Sequence, residues 1–473
     1  MHRSSAFAAI GVACVCAPAF ADHASFHGTL VGDVAATDNV FAAQRENAEP
    51  DVYMQVRPGM LFAYDSPRFI QELTAEAEFL EYIAHSDKPS VTFTAAWQGF
   101  ITPGPRTQMT LGVNASEGQL NAMATRTAPD QTGVNVLPPG LINTRQGGAN
   151  EYLSYQIGKD TRIGERVYGT WIATQDPDKA VMVTTDAYDT GASLSLDHTF
   201  QHDALAIEAG GQFVYLKRLD PLGVQMGSRL DQQVNPRVVA TWRHDFNREW
   251  SLNADGGGVY VNPVGTDPYN PTDKRRAEPF PVFGALLAYT EQWGRATFSA
   301  RRSVTPNLFI AQNTVDDAAI ATFAMPLPWL DDYPHLRLPK LVGLGSLGFN
   351  RTQLVDPEMG DLLGKFYVAH LDVGVGYTPK PGQTYGLRYT LLYQTGNSTA
   401  TMIIPSYYAN TIFFTFALRY PDRVAATVPR RTQSLRSDRA DLAPTGAEPV
   451  VPDPAESLPD QGGDDEGGGG DER

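Results

Sequence analysis

The segment TIFFTFALRY, residues 411–420, shows the pattern that decides the fold class of this chain. Large apolar side chains occupy every second position, and the intervening positions end on a cation, Arg419. The apolar positions are Ile412, Phe414, Phe416, Leu418 and Tyr420. Because successive side chains of a β-strand point to opposite faces, this spacing predicts a strand with one apolar face and one face that admits charge.

The same alternation recurs along most of the chain, for example over 52–64, 69–79 and 385–393. Period two over about ten residues, with aromatic residues toward the ends, is typical of a tilted membrane-spanning strand. The pattern predicts 18 strands, with 16 as the alternative. We expect them near 25–36, 52–64, 68–83, 90–101, 106–115, 150–159, 163–174, 189–200, 203–216, 235–245, 248–261, 280–292, 295–303, 316–326, 340–351, 365–378, 384–395 and 411–420.

The predicted connections alternate in length. Most of those that follow an odd-numbered strand are long, and 116–149 is the longest, whereas most of those that follow an even-numbered strand contain only a few residues. The exceptions are 84–89, which is short, and 327–339, which suggests a small periplasmic cap. This alternation is typical of an outer-membrane barrel with long extracellular loops, short periplasmic turns and a periplasmic N-terminus.

The first 21 residues are predicted to be a secretory signal peptide. Arg3 supplies the positive start, 6–17 is a short apolar stretch, and Ala19-Phe20-Ala21 has the form of a cleavage site. The alternative is a lipoprotein signal that uses Cys14. Cys14 and Cys16 are the two cysteines of the sequence, so we expect a mature chain without a disulfide framework, a zinc–cysteine site or a cysteine nucleophile.

The net charge and the apolar runs limit the classes of partner. Removing Arg3 with the signal changes the formal charge from −16 to −17, which argues against nucleic acid. No stretch reaches 18 consecutive apolar residues, so the sequence predicts no membrane helix. An exported chain of this kind that enters a membrane must close its sheet into a barrel, because lipid offers no hydrogen-bond partners to an open edge.

From about residue 22 to residue 421 the chain resembles a Gram-negative outer-membrane β-barrel of porin type. Its opening, GTLVGDVAATDNVF (28–41), is similar to the first strand and loop of several barrel families, and TIFFTFALRY resembles the barrel-closing strand that insertion machinery recognises. The resemblance implies a single barrel domain that is integral to the outer membrane. Its partners would be outer-membrane lipid, the insertion machinery and small hydrophilic solutes.

The C-terminal segment, 422–473, has a different composition. Aromatic residues are absent after residue 430, and 440–473 carries ten acidic residues and one arginine, a net charge of −9. Such a segment buries too little apolar surface to fold, so it is predicted to be a disordered tail, which an even number of strands places in the periplasm. It acts either as a solvating tail or as a docking segment for the cell wall or a periplasmic protein.

The two faces of the predicted strands supply the candidate site residues. Aromatic side chains on the apolar face are expected to contact lipid: Phe62, Tyr64, Trp97, Trp171, Trp242, Tyr389, Phe414, Phe416 and Tyr420. Charged side chains on the opposite face are expected to line a lumen: Glu72, Glu76, Glu78, Asp197, Glu208, Asp255, Asp372, Arg57, Arg166, Arg237, Arg243, Arg301, Arg388 and Arg419. Almost no charge is predicted at mid-strand on the lipid side, where a cation costs about 2–4 kcal/mol.

Two interpretations of the lumen charges stay open. They either solvate the lumen or form a constriction with opposed acidic and basic walls, for which the row Glu72, Glu76 and Glu78 is the best candidate and would favour cations. The third long loop, 116–149, either folds into the pore, as the corresponding loop of general porins does, or stays at the rim. If it folds inward, the candidate constriction residues are Glu117, Arg126, Asp130 and Arg145.

The predicted function is passive diffusion of small hydrophilic solutes through an outer-membrane channel. The alternatives are a dedicated polysaccharide exporter and a structural or adhesive barrel with a closed pore. No nucleophile elbow, zinc-protease motif or P-loop is present in the sequence, so we predict neither an enzyme nor a cofactor or metal site. A homotrimer is compatible with the pattern, because aliphatic contacts between subunits have the same composition as lipid contacts.

Overall fold

The computed structural model describes residues 24–86, 89–121, 141–174, 184–219, 228–264, 277–291, 294–307, 312–327, 341–355, 362–380, 382–397 and 406–420. These residues form eighteen strands in one sheet and one short 3₁₀ turn, Arg45–Asn47. The signal peptide predicted for 1–21 and the tail predicted for 422–473 lie outside the described residues, and both stay predictions.

The strands are numbered in chain order. They are β1 Ala24–Thr37, β2 Asp51–Ser66, β3 Phe69–Tyr82, β4 Ser90–Gly104, β5 Thr107–Asn121, β6 Leu141–Gln156, β7 Thr161–Thr174, β8 Thr184–Thr199, β9 Asp203–Leu219, β10 Ser228–Asp245, β11 Trp250–Val261, β12 Glu278–Glu291, β13 Gly294–Asn307, β14 Gln312–Pro326, β15 Leu341–Val355, β16 Leu362–Lys380, β17 Gln383–Gly396 and β18 Tyr407–Tyr420.

The sheet closes on itself. Each strand pairs with its neighbours in sequence, every pairing is antiparallel, and β1 pairs with β18 from Gly28–Tyr420 to Thr37–Thr411. The segment TIFFTFALRY therefore closes the barrel. The predicted fold, an up-and-down antiparallel barrel of 18 strands, is confirmed.

Several strands are longer than predicted, and the largest extensions lie at one end of the barrel. β6 begins at Leu141 instead of residue 150, and β10 begins at Ser228 instead of residue 235. The added part of β6, LINTRQGGA, shows no alternation of apolar and polar residues. Alternation arises only where one face contacts an apolar phase, so the pattern does not extend into the part of a strand beyond that phase.

The two ends of the barrel carry connections of different length. The turns at one end span two residues between β2 and β3, and two between β4 and β5, whereas 122–140 connects β5 to β6 at the other end. Ala24 and Tyr420 lie at the end with the short turns. We refer to this as the periplasmic end and to the other as the extracellular end, as in bacterial outer-membrane barrels. A periplasmic cap was predicted for 327–339, of which 328–339 lies outside the described residues, so the cap stays a prediction.

The register assigns each strand residue to one of two faces, because directly opposed residues of antiparallel strands have their side chains on the same face. The exposed large apolar strand residues, such as Phe26, Leu194, Phe298 and Leu387, share one face around the whole ring. This is the convex outer face of the barrel. In the described part of the chain, no helix has the length and apolar character needed to cross a membrane.

Candidate channel wall and mouth

The register places all the predicted lumen charges on the inner face. Asp33, for example, is directly opposite Gln55 and Thr415, and Arg388 is directly opposite Phe413. The remaining inner-face acids and cations follow from the same pairings around the ring. They include Glu72, Glu76, Glu78, Asp197, Glu208, Asp255, Asp372, Arg57, Arg166, Arg237, Arg243, Arg301 and Arg419.

Ion pairs across neighbouring strands organise part of this wall. Arg57 Nη2 donates to Asp33 Oδ2 at 3.1 Å, and the Thr415 hydroxyl donates to Asp33 Oδ1 at 2.6 Å. Both carboxylate oxygens are therefore satisfied from the two adjacent strands, which holds the charge in one place on the wall.

A second pair lies on β16 and β17. Arg388 Nε is 3.4 Å from Asp372 Oδ2, which also accepts a hydrogen bond of 2.7 Å from Thr390. The Arg388 guanidinium lies 5.0 Å from the centre of the Phe413 ring, within the range of a cation–π contact. The cation is thus positioned by a carboxylate on one side and by an aromatic ring on the other.

The wall of β7 to β9 contains an acid that sequence reasoning missed, Asp189. Its Oδ1 accepts hydrogen bonds from Gln212 Nε2 at 2.8 Å and from the Tyr168 hydroxyl at 3.5 Å, and Arg166 lies 5.4 Å from the centre of the Tyr168 ring. The surrounding sequence, TDAYDTGAS, has little apolar content, so the predicted strand began only at this residue. Asp189 would have been found if the alternation of inward positions had been continued beyond the apolar part of the strand, toward its extracellular end.

The acidic row of β3 lies on the face for which it was predicted. Glu72, Glu76 and Glu78 share the inner face, and Arg419 of β18 lies close enough to Glu72 for an electrostatic interaction. The row therefore runs along one strand from the periplasmic end upward, with a cation near its lower end.

The predicted lipid-facing aromatics all lie on the outer face, and several are anchored at the strand ends. Trp242 Nε1 donates to Asp203 Oδ1 at 2.8 Å near the periplasmic end, and Trp171 Nε1 donates to Asp186 Oδ1 at 2.9 Å near the extracellular end. Indole rings with an apolar body and a hydrogen-bonded N–H are characteristic of both boundaries of an apolar belt. The others are Phe62, Tyr64, Trp97, Tyr389, Phe414, Phe416 and Tyr420.

The first loop, residues 38–50 and called L1 below, folds into the extracellular end of the barrel. Val40 is fully buried in a cluster with inner-face residues of β1, β2, β3 and β18, and Phe41 packs against it. Ala42 is buried in a second cluster with inner-face residues of β15 to β18. The two clusters contain Ala35, Tyr53, Leu80, Tyr82, Phe413, Leu354, Phe366, Val368, Leu392, Tyr407 and Ala409.

Polar contacts fix L1 in this position. Asn39 Nδ2 donates to the carbonyl oxygens of Ala43 at 2.8 Å and Tyr408 at 3.0 Å, and its Oδ1 accepts from the Ala43 N–H at 2.9 Å. Ala42 has a φ of 53°, a left-handed conformation that costs a residue with a side chain about 1–2 kcal/mol. The packing of Ala42 against the wall and the Asn39 hydrogen bonds hold the turn in this conformation.

His85, in the turn after β3, ties down the end of L1. Its Nε2 is 2.6 Å from Glu49 Oε2, its Nδ1 is 2.7 Å from Asp51 Oδ2, and its ring packs edge-on against Phe41 at 5.0 Å between centres. The hydrogen bond with Asp51, followed by the one with Glu49, raises the pKa of His85 above its ordinary value. Two carboxylates on one imidazole favour its protonated form, in which both nitrogens donate.

The upper part of the β13–β14 hairpin also turns into the mouth. The ladder between β12 and β13 ends at Phe283–Arg302, although both strands continue beyond it. Above this point Val304, an outer-face position by register, packs against the inner-face cluster of β10 to β12. Asn313 donates to Gln233 of β10, and this contact joins the hairpin to a strand that is not its neighbour.

The predicted constriction residues of the third loop are not confirmed as such. Glu117 and Arg145 lie on β5 and β6, directly opposite each other and opposite the outward-facing Phe93, so they face outward and not into the pore. Arg145 Nη2 and Glu117 Oε1 form an ion pair of 2.7 Å. The prediction failed because the two strands continue through 116–121 and 141–149. Arg126 and Asp130 lie outside the described residues.

Sequence reasoning also missed charges on the outer face. Arg302 Nη1 is 3.6 Å and Arg351 Nη2 is 2.6 Å from the carboxylate of Asp317, and the register places all three residues outward. Glu165 is outward as well, directly opposite Leu153 and Leu194. The expectation of almost no charge was limited to mid-strand positions, and the group of Arg302, Asp317 and Arg351 lies toward the extracellular end of its strands. Predicted β13 and β14 ended near these residues, so their register was the least constrained.

No family model and no curated protein matches the chain. Similar solved structures include the outer membrane protein OpdK of Pseudomonas aeruginosa, with 10% identity, a TM-score of 0.43, and coverage of 84% of this chain and 99% of that chain. OccAB3 of Acinetobacter baumannii has 10% identity, a TM-score of 0.44 and coverage of 84% and 99%. The alcaligin receptor FauA of Bordetella pertussis has 11% identity, a TM-score of 0.41 and coverage of 84% and 76%. The strand pairings alone establish the closed barrel of eighteen antiparallel strands, the architecture that the sequence predicted.

Proposed function

We propose that this chain forms a channel for the passive diffusion of small hydrophilic solutes across an outer membrane. The observation that carries the proposal is the opposite chemistry of the two faces. The outer face is a ring of exposed apolar side chains, and the inner face carries both carboxylates and guanidinium groups. A barrel of about 18 strands encloses a lumen wide enough for water unless it is plugged.

The inner-face charges would tune which solutes pass. Asp33–Arg57 and Asp372–Arg388 place opposite charges on neighbouring strands, so the wall offers a solute both signs within a short distance. The row Glu72, Glu76 and Glu78 would make the lower part of the wall favour cations. Neither a reaction nor an energy source is needed for this mechanism, since the solute moves down its own gradient.

The mouth supports a second candidate, a structural or adhesive barrel with a closed pore. L1 and the β13–β14 hairpin both pack apolar side chains against the inner wall at the extracellular end. Such packing excludes water locally, in the manner of a protein interior. It favours a barrel that is narrow or closed at this end.

Single-channel recording in planar bilayers tests these candidates. An open and mildly selective conductance supports the diffusion channel. A gated or strongly anion-selective conductance supports a dedicated exporter, and silence of the parent protein supports the closed barrel. The sharpest variant replaces 41–48 by Gly-Ser, because the Val40 N–H already bonds the Glu49 carbonyl at 3.0 Å and the cut ends lie close together. We expect this variant to conduct more than the parent, and an unchanged conductance would show that L1 does not limit flow.

A further inference from the structure

Two outward-facing arginines share one carboxylate at the extracellular side of β13 to β15. Arg351 binds Asp317 Oδ2 through Nε at 3.0 Å and Nη2 at 2.6 Å, and Arg302 approaches Oδ1 at 3.6 Å. The three side chains keep 37%, 26% and 23% of their surface exposed for Arg351, Asp317 and Arg302. They form one accessible group, called the outer arginine site below, which carries a surplus positive charge.

The depth of the outer arginine site is set by its neighbours. Arg302 is directly opposite Phe283, and Arg351 is directly opposite Tyr367 and two positions above Phe349. Phe283 and Phe349 are exposed on the outer face, so the site lies at the upper edge of the apolar ring. A cation is tolerated there, because its cost falls from about 2–4 kcal/mol at the membrane midplane to about 0–1 kcal/mol near the boundary.

The charge balance distinguishes this site from another outer-face ion pair at the same end. The ion pair of Glu117 and Arg145 brings together one acid and one cation, so its formal charge is zero. In the outer arginine site two guanidinium groups face one carboxylate, and Lys365, opposite Gln353 on β16, adds a further cation above it. Asp317 accepts from Nε and Nη2 of Arg351, and Nε of Arg302 is buried, so an additional anion would meet the remaining Nη donors of the two residues.

We propose that the outer arginine site binds the phosphate of a lipid headgroup in the outer leaflet of the membrane. Phosphate matches the site because a guanidinium fork holds its oxygens bidentately, and because lipid phosphates lie at the depth where the aromatic ring of a barrel ends. A second copy of the protein could take the place of the lipid phosphate only if it presented a carboxylate at this depth. The proposal rests on the membrane location of the barrel and does not depend on conduction.

Lipid retention in nanodiscs tests the proposal. The purified full chain is placed in phosphatidylcholine nanodiscs that contain lipid A with two phosphates, or lipid A from which both phosphates have been removed, and the lipid bound per protein is measured by native mass spectrometry. We expect a preference for the phosphorylated form. In the double variant R302Q/R351Q, the ratio of phosphorylated to dephosphorylated lipid A retained should fall about ten-fold. This corresponds to the loss of one charge-assisted contact.

The variant D317N should change the retention of phosphorylated lipid A in the opposite direction. It frees both guanidinium groups from their internal carboxylate, so retention of phosphorylated lipid A should increase above that of the parent. A merely structural role for the site predicts that both variants weaken the protein in the same direction, so a fall in D317N overturns the proposal. R145Q is the matched control, since it disturbs an outer-face pair without surplus charge, and its retention should equal that of the parent.

Three other results would also overturn the proposal. Equal retention of both lipid forms by the parent excludes phosphate recognition. Binding of inorganic phosphate as tight as that of the lipid, measured in nanodiscs of phosphatidylcholine alone, would assign the site to the free ion. A change of oligomeric state in R302Q/R351Q without a change in lipid retention would make this face a contact between copies. Conductance recorded on the same variants tests the channel separately, so failure of either proposal leaves the other identifiable.

Discussion

The extracellular end of the inner face and the wall below it follow the same alternation but differ in chemistry. Where L1 packs at the extracellular end, several inward positions are apolar and buried, as at Leu80, Phe366 and Tyr407. Lower down, inward positions of the same strands carry charge, as at Glu76 and Asp372. Strand geometry alone therefore does not make an inner face aqueous. The residue at each level decides whether the space beside it is filled by protein or by water.

The comparison explains where a loop can pack against the inner face. A charged inner wall cannot be covered by a loop at low cost, because each buried charge would lose water without a partner. An apolar wall can be covered, and it stabilises the loop that covers it. L1 and the β13–β14 hairpin pack against three apolar clusters of the inner face.

The largest expected effect comes from breaking the apolar contact of the mouth. Phe366 is fully buried in the cluster that holds Ala42 of L1, so Phe366→Ala removes transfer energy and leaves a cavity. Such a change costs about 3–5 kcal/mol in a protein interior. We expect the amide of Val40 in L1 to lose protection against hydrogen exchange in reconstituted protein.

The matched control is Phe349→Ala, which removes the same side chain from the outer face, where Phe349 is 48% exposed. It should leave protection of the Val40 amide unchanged. If both substitutions lowered protection of the Val40 amide equally, the apolar contacts of the mouth would not hold the loop. The distinction between the two levels of the inner face would then fail.

A smaller effect is expected in the charged wall. Arg57→Ala removes a hydrogen bond to the charged Asp33 carboxylate, a loss of about 1.5–3 kcal/mol, and keeps the hydrogen bond from the Thr415 hydroxyl. Removing a cation from the lumen should also shift the reversal potential in a salt gradient toward cation selectivity. Arg57→Lys keeps the charge and should keep the selectivity, while L1 exchange should stay at the parent value in both variants.

The fold was predictable from the sequence because its signal is repeated. Each spanning strand must place apolar side chains outward, so the alternation at Phe414 and Phe416 is found again in the other strands, and one misread strand changes little. The strand ends were less predictable, as β6 and β10 show. Beyond the apolar ring both faces of a strand are solvated, and the constraint that produces the alternation is absent.

The candidate site was predictable only where it depends on parity, which means the alternation of odd and even strand positions between the two faces. Parity assigned Arg57 and Asp372 to the inner face, but it contains no information on which loop fills the mouth. Apolar residues in 116–149 suggested the third loop, of which 122–140 lies outside the described residues, so its inward folding stays a prediction. L1 contributes only the short run around Val40 and Phe41. The partners of that run, such as Tyr82 and Phe413, are far away in sequence, and only the closed ring brings them together.

The smallest expected effect concerns the protonation of His85, which links L1 to the wall. Its pKa is raised by the hydrogen bonds with Asp51 and Glu49, the two charged groups that face it. The stabilising contribution is therefore complete below the ordinary pKa of about 6.5 and is lost as the pH rises through the raised value. Protection factors of the Val40 amide should fall over that range in the parent protein. In His85→Gln, which cannot titrate, they should be lower and independent of pH, and a parent profile as flat as that of the variant would remove His85 from the control of the mouth.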